Sequence, residues 1–219
     1  MSRLLDLLFL LPLLLLSMMA HEVAHGLVAY RLGDPTAKAH GRLTANPIQH
    51  LDPLGSLMFV VTYLFGGFVF GWAKPVPVNP YYFRDHQRGM MVVGLAGPFT
   101  NFLIAVVLAV ILNLLEPVSS RILSVWGGDT LFNVLFLAYQ VNVVLGIFNL
   151  VPIPPLDGSR VLGGFLSPAA YRAWTELDRY GMMFILLIFF VFQAPFFRVL
   201  GTAFRLVSRV LLPAYPGLF

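Results

Sequence analysis

The chain has 219 residues, of which 58% are hydrophobic and 11% charged, and its mean hydropathy is +0.83. A soluble domain carries about a quarter charged residues, so this composition excludes a soluble fold and leaves a single integral-membrane domain over residues 1–219, with no stretch for a second, soluble one. The net charge of +4 sits in short connections between apolar runs, which speaks for membrane topology and against a nucleic-acid partner. There is no cysteine, so any metal must be held by His, Asp, Glu or Asn.

The first apolar run, residues 4–30, covers about 40 Å as a helix, enough to cross a bilayer with tilt. Its start resembles a secretory signal, with Arg3, an apolar run over 7–16 and a small residue at Ala20. Asp6 and the continuation of the helical pattern to Tyr30 argue against cleavage there. The same run carries His21-Glu22-Val23-Ala24-His25. Helix positions four apart lie about 40° apart around the axis, one turn up. Both imidazoles can therefore bind one Zn²⁺, with Glu22 beside them as the base for a metal-bound water. The bland alternative is a helix with two satisfied histidines. Ionisable groups among leucine and methionine in a span are costly, and that favours metal binding.

A polar stretch follows at 31–53, with turn signals at Gly33-Asp34-Pro35 and Asn46-Pro47. His50 and Asp52 are its ambiguous members: solvated loop groups, a gate for water, a partner to a metal ligand, or a ligand. His40 and His86 read as surface residues. Residues 54–72 are apolar but contain Gly55, Gly66, Gly67 and Gly71, which suits a re-entrant turn better than a straight span. Lys74-Pro75-Val76-Pro77-Val78-Asn79-Pro80 cannot be helical and reads as extended.

Residues 90–115 and 131–151 are strong spans. The second ends in a cluster, Pro152, Pro154 and Pro155, just before Asp157-Gly158. Irregular backbone at membrane depth is tolerated where it lines a cavity or is buried in protein. Asp157 is thus a candidate third metal ligand, against the alternative that it caps a helix starting at Ser159. The connection 157–179 holds a short helix, and 180–197 is a short further span. Arg198, Arg205 and Arg209 share one face of an amphipathic C-terminal helix over 198–212.

Taken together, the HExxH, Gly97-Pro98-Phe99-Thr100-Asn101, and Asn149 through Gly158 in the pattern N-x-x-P-x-P-x-L-D-G resemble the site-2 protease family of intramembrane zinc metalloproteases. The resemblance covers about residues 4–165. It implies an all-α polytopic membrane protein with a three-helix catalytic core, joined here by the re-entrant segment and the C-terminal span and tail over 180–219. It implies His21, His25 and Asp157 as ligands of Zn²⁺, Glu22 as catalytic base, and substrate contact at Asn149. Asn101 is a supporting residue or an interhelical hydrogen bonder. The chain looks like a minimal member without PDZ or CBS domain. The implied partners are the lipid bilayer and membrane-protein substrates with a transmembrane segment. An extended substrate could pair with a strand edge at 36–43 or 76–79.

Two arguments set the topology. If 54–72 spanned fully, Asp157 would emerge opposite His25 and the site could not form; a re-entrant hairpin brings both to one side. That arrangement places Arg31, Lys38, Arg42, Lys74, Arg84, Arg88, Arg160, Arg172 and Arg179 on one side, and Arg3 and Arg121 on the other. The bias puts the site toward the cytoplasm of a bacterial or archaeal cell membrane. The rival functions are a metal-ion transporter, which calls for ligands repeated along several spans, a di-iron membrane oxygenase, which calls for more than five histidines, and an inactive binding protein that keeps the motif.

Overall fold

A computed structural model describes residues 3–66, 70–119, 128–215 and 217. Most of the described residues are helical, with three helices long and apolar enough to cross a membrane: Leu7–Arg31, His86–Leu115 and Thr130–Asn149. The chain divides into two compact units, Met1–Gly97 and Pro98–Phe219. Gly67 and Arg121, used above in the turn and charge arguments, lie outside the described residues.

In the first unit, α1 runs Arg3–Arg31 and contains Pro12. Its polar Ser17 turns inward on its own helix, donating to Leu13 O at 2.8 Å, so no hydroxyl is left unmet at membrane depth. Gly33, at φ 103°, reverses the chain after α1 in a conformation that glycine adopts without strain. Asp34, fully buried, then accepts from the Thr36 N–H and hydroxyl and from Asn79 N at 2.7 Å. One carboxylate thereby ties the end of α1 to the extended chain 45 residues further on. Helix α2, Thr36–Ala39, occupies part of the stretch expected as a strand edge; Pro35 lies at its N-terminus, where a proline costs no helix hydrogen bond.

The apolar segment after Pro53 doubles back. Asp52 caps α3, Pro53–Val61, by accepting from Gly55 N at 2.8 Å, with Pro53 at the first helical position. At nine residues α3 is about 13 Å long, under half of a bilayer core. A π-helical turn, Thr62–Gly66, follows. The Thr62 hydroxyl then accepts the Phe70 N–H at 3.0 Å while donating back along its own helix to Met58 O at 2.8 Å. From Phe70 the chain returns extended alongside α3. A Cβ on Gly55 would lie 2.1 Å from Trp72 O, so glycine is required where helix and return strand touch. Lys74 N finally donates to His50 O at 2.9 Å. A segment whose two ends share a hydrogen bond does not cross a membrane, and the re-entrant expectation for 54–72 stands.

Helix α4, His86–Ser119, starts in the first unit and continues into the second. In the first, Val93 packs with Ala29 and Phe83.

In the second unit α4 packs with α5, Gly128–Asn149, through Ala105, Ala109, Leu112, Tyr139 and Val143. Two short helices, α6 (Asp157–Gly163) and α7 (Pro168–Thr175), replace the single short helix expected over 157–179. Ser167 caps α7, and Pro168 follows it. The C-terminal span differs from expectation. Helix α8, Gly181–Phe190, ends early, and α9, Gln193–Leu211, leaves at an 87° bend. Pro195, in the first turn of α9, lacks an N–H and its ring would clash with the carbonyl of Val191 in a continuous helix, which favours the break at this place. Arg198, Arg205 and Arg209 are exposed on α9, as their spacing predicts. Its apolar side meets α5, where Tyr139 donates to Ser208 Oγ at 2.9 Å. Asn113 donates to Leu211 O at 2.7 Å and fastens the end of α9 to α4.

Candidate metal centre

The HExxH turn lies in the last third of α1. His21 and His25 are 6% and 4% exposed, with ring centroids 4.6 Å apart and planes at 81°. One ligand atom from each of His21, Glu22 and His25 lies within 4.8 Å of the other two. Among the described residues this is the group fit to hold a metal ion. The N/O donor set suits Zn²⁺.

His25 Nδ1 lies 2.7 Å from Val93 O. A carbonyl oxygen only accepts, so Nδ1 carries the proton and Nε2 presents its lone pair, the tautomer a metal requires. One helical turn along α4 stands Gly97. A Cβ there would lie 2.5 Å from both His21 Nε2 and His25 Nε2. The two ring nitrogens thus converge on a space that exists because residue 97 has no side chain. A fixed tautomer, converging nitrogens and a neighbouring carboxylate fit a zinc ion.

Glu22 is held from outside its own helix. Val76 N donates to Glu22 Oε2 at 2.8 Å, which ties that carboxylate oxygen to the extended run. Val76 sits in the extended run that follows the hairpin. Lys74 N bonds His50 O, Arg42 Nη2 bonds Lys74 O at 2.7 Å, and Asn79 N bonds Asp34. Pro75 and Pro77 restrict the backbone on both sides of Val76. They also remove two N–H donors, so that side of the run can offer a substrate strand acceptors but not a full ladder.

The other predicted residues fall as follows. His50 is fully buried at the end of a 3₁₀ turn, Pro47–His50, and its Nε2 donates to Thr44 O at 3.1 Å. It stands outside the metal-fit group, and its backbone carbonyl supports the Lys74 strand. His40 and His86 are exposed, as expected. In the second unit, Asn101 is fully buried and donates to Asn142 Oδ1 at 3.0 Å, the interhelical bond foreseen for it. Asn149 closes α5, half-buried, and donates to Leu145 O at 3.0 Å. Asp157 is buried and is the first helical residue of α6, with Leu156 in the capping position; it is not the cap of a helix starting at Ser159. Gly158 permits the close turn behind it, because a Cβ there would lie 2.2 Å from Leu150 O.

Val76, expected only within a strand edge for substrate, Val93, and Gly97, quoted only within a motif, were not foreseen beside the histidines and Glu22. The first two act through backbone atoms, which residue type does not advertise. Gly97 did carry a signal: a glycine inside a strong span is costly and asks for a packing reason.

Residues 9–121 and 117–192 match peptidase family M50. The chain is 38% identical over 183 residues to "Putative zinc metalloprotease YwhC" of Bacillus subtilis, covering 83% of this chain and 80% of that one. It is 30% identical over 207 residues to "Putative zinc metalloprotease Rip2" of Mycolicibacterium smegmatis, 89% and 74% of the two chains. With "Zinc metalloprotease MJ0392" of Methanocaldococcus jannaschii it shares 32% over 81 residues, 37% of this chain and 21% of the relative. No solved structure matches.

Proposed function

The chain belongs to peptidase family M50, the site-2 protease family of zinc metalloproteases, and on that premise we propose that it is an endopeptidase that cuts membrane-embedded substrates, with Glu22 as general base. The observation that carries the reading is the convergence of His21 and His25 Nε2 beside Gly97, with Glu22 in the same group on a helix long and apolar enough to span.

His21 and His25 would hold the zinc, and Asp157 would complete the ligand set; its motif, its burial and its position as the first residue of α6 rather than the cap support this. Bound zinc supplies a Lewis acid for the scissile carbonyl and brings the pKa of a water to about 7. Glu22 takes the proton of the attacking water while Oε2 stays on the Val76 N–H, and passes it to the leaving amine. A substrate helix unwinds to lie extended at the site, with Asn149 bonding its backbone. The site faces the cytoplasmic side of the cell membrane, a reading supported by the excess of Lys and Arg in the connections on that side. The bilayer core supplies no water, so a site near that surface also meets the need of hydrolysis.

The test is cleavage of a reporter carrying one transmembrane segment, in proteoliposomes, with zinc counted per chain. Wild type should cut and hold about one zinc. Glu22→Gln should keep the zinc and lose cleavage, by about three orders of magnitude or more in kcat. His21→Ala and Asp157→Ala should lose both. A Glu22→Gln enzyme that cuts at the wild-type rate ends the general-base reading. Asp157→Ala with full zinc removes the third ligand from the proposal.

A further inference from the structure

Within the second unit, α9 lies along α5. Phe196 meets Phe148 with ring centroids 5.9 Å apart, Phe204 meets Tyr139 at 6.4 Å, and Tyr215, just past the helix, meets Phe132 at 5.4 Å. As α9 advances, its partners on α5 step back from 148 to 132, so the two helices run antiparallel over a shared length. On α5 that length belongs to the span Thr130–Asn149. With 19 residues, α9 is about 28 Å long, enough to cover most of the hydrocarbon core beside it. Its far end is fastened where the α4 span ends, by Asn113 on Leu211 O and by the Tyr215 hydroxyl on Leu112 O at 2.8 Å.

This course carries charge into the bilayer. Arg198, Arg205 and Arg209 are exposed and form a stripe about 16 Å long. Arg205 stands between Phe204 and Ser208, both of which meet Tyr139, so it lies level with the middle of Thr130–Asn149. Its Nη2 donates to Thr202 Oγ1 at 3.1 Å, a neutral acceptor. Residues 180–219 contain no Asp or Glu. Val199, Leu206 and Val210, each one position beyond an arginine, are 70%, 60% and 77% exposed and form an apolar stripe alongside. A guanidinium facing acyl chains is costly, and ionisable groups at that depth pair with one another or face a polar interior.

The charge selects the partner. It must bring a carboxylate to the depth of Arg205 on an otherwise apolar element. A second copy does not supply one: within Leu7–Arg31, His86–Leu115 and Thr130–Asn149 the one carboxylate is Glu22, which is held on Val76 N. Two copies meeting symmetrically through α9 would set arginine against arginine. Anionic lipid head groups lie at the surfaces, away from the middle of a span. We propose that the arginine face of α9 binds a membrane-spanning helix of another protein, one that carries Asp or Glu at bilayer depth and stays wound while bound. Helical spacing of the arginines calls for a helical partner, and carboxylates four or seven residues apart match Arg205 with Arg209, or Arg198 with Arg205. This face lies in the second unit and does not rest on the protease reading.

The experiment uses the full chain in phosphatidylcholine vesicles. Leu206→Cys, labelled with a small fluorophore, is quenched by lipids bearing nitroxides at different depths. Quenching should be strongest from nitroxides far down the acyl chain. Strongest quenching from the head group would put α9 on the surface and overturn the proposal in favour of anionic lipid. Binding is then read by energy transfer from a dye on Gly217→Cys to a labelled Leu–Ala peptide of about 23 residues, with two central Glu four residues apart. Half-saturation should need about tenfold less of this peptide than of its Gln counterpart. Arg205→Met should erase that preference, and Arg205→Glu should transfer it to the Lys peptide. Equal binding of the Glu and Gln peptides, a preference intact in Arg205→Met, or recovery of the Glu peptide cleaved, which would make it a substrate, each overturns the proposal. The comparison of Glu with Gln is made with all three arginines in place, so it decides even where an Arg205 variant does not fold.

Discussion

A Cβ at Gly97 would fall 2.5 Å from Nε2 of both His21 and His25, closer than real Cβ contacts come. The rings have little freedom to retreat, because His25 is anchored through Nδ1 to Val93 O and both are buried. Gly97→Ala should therefore purify with zinc reduced about tenfold or more, since a ligand shifted off its geometry costs metal affinity on that scale, while α4, relieved of a helical glycine, is no less stable. Metal analysis together with thermal unfolding checks both halves. A Gly97→Ala protein with full zinc would mean that the nitrogens converge elsewhere. The HExxH itself was legible from residue types, because ionisable side chains inside an apolar span announce a site. The glycine opposite them was legible as part of the Gly97–Asn101 stretch, but not as the neighbour of the two rings.

The extended run after the hairpin shows what one element does for another. Its hydrogen bonds to His50 O, Asp34 and the Arg42 side chain hold the Val76 N–H on Glu22. Val76→Pro removes that one donor in a stretch already made extended by Pro75 and Pro77, whereas Val76→Ala keeps the donor and trims the side chain. A hydrogen bond to a charged group contributes about 2 kcal/mol. Val76→Pro should then lower kcat about 30-fold with KM and zinc content near wild type, and Val76→Ala should stay within a few-fold of wild type. Equal losses in the two variants would assign the effect to packing against Gly26 instead. The run was readable as extended, because prolines forbid helix. Its bond to Glu22, 54 residues away, follows from no local pattern. Likewise Pro195 favours the α8–α9 break, but Pro12 lies inside an unbroken α1, so residue type alone does not place it.

At the scale of the molecule, the hairpin changes the number of crossings by one and so decides which connections share a side. The absence of cysteine makes an introduced one unique. Lys38→Cys, Arg84→Cys and Arg172→Cys, all at exposed positions, should react with an impermeant maleimide only when the cytoplasmic face is opened. Labelling of all three in intact cells would reverse the assignment of the zinc to the cytoplasmic side. The three cysteines belong to both units, so a mixed result would locate the error in a particular segment.

The sequence by itself determined the medium, the metal and the family: hydropathy is a sum over residues, and an HExxH needs only four residues of spacing and a helix to bring two imidazoles to one face. The re-entrant course of 54–72 was indicated by its glycines and by charge counting, but its closure by Lys74 on His50, and the contact at Gly55 and Trp72, required the folded chain. Tertiary structure alone decided the tautomer of His25, the anchoring of Glu22 on Val76 and the burial of His50. These depend on backbone groups and empty space, which a sequence does not spell, because each is made by residues that meet only after the chain has folded back on itself.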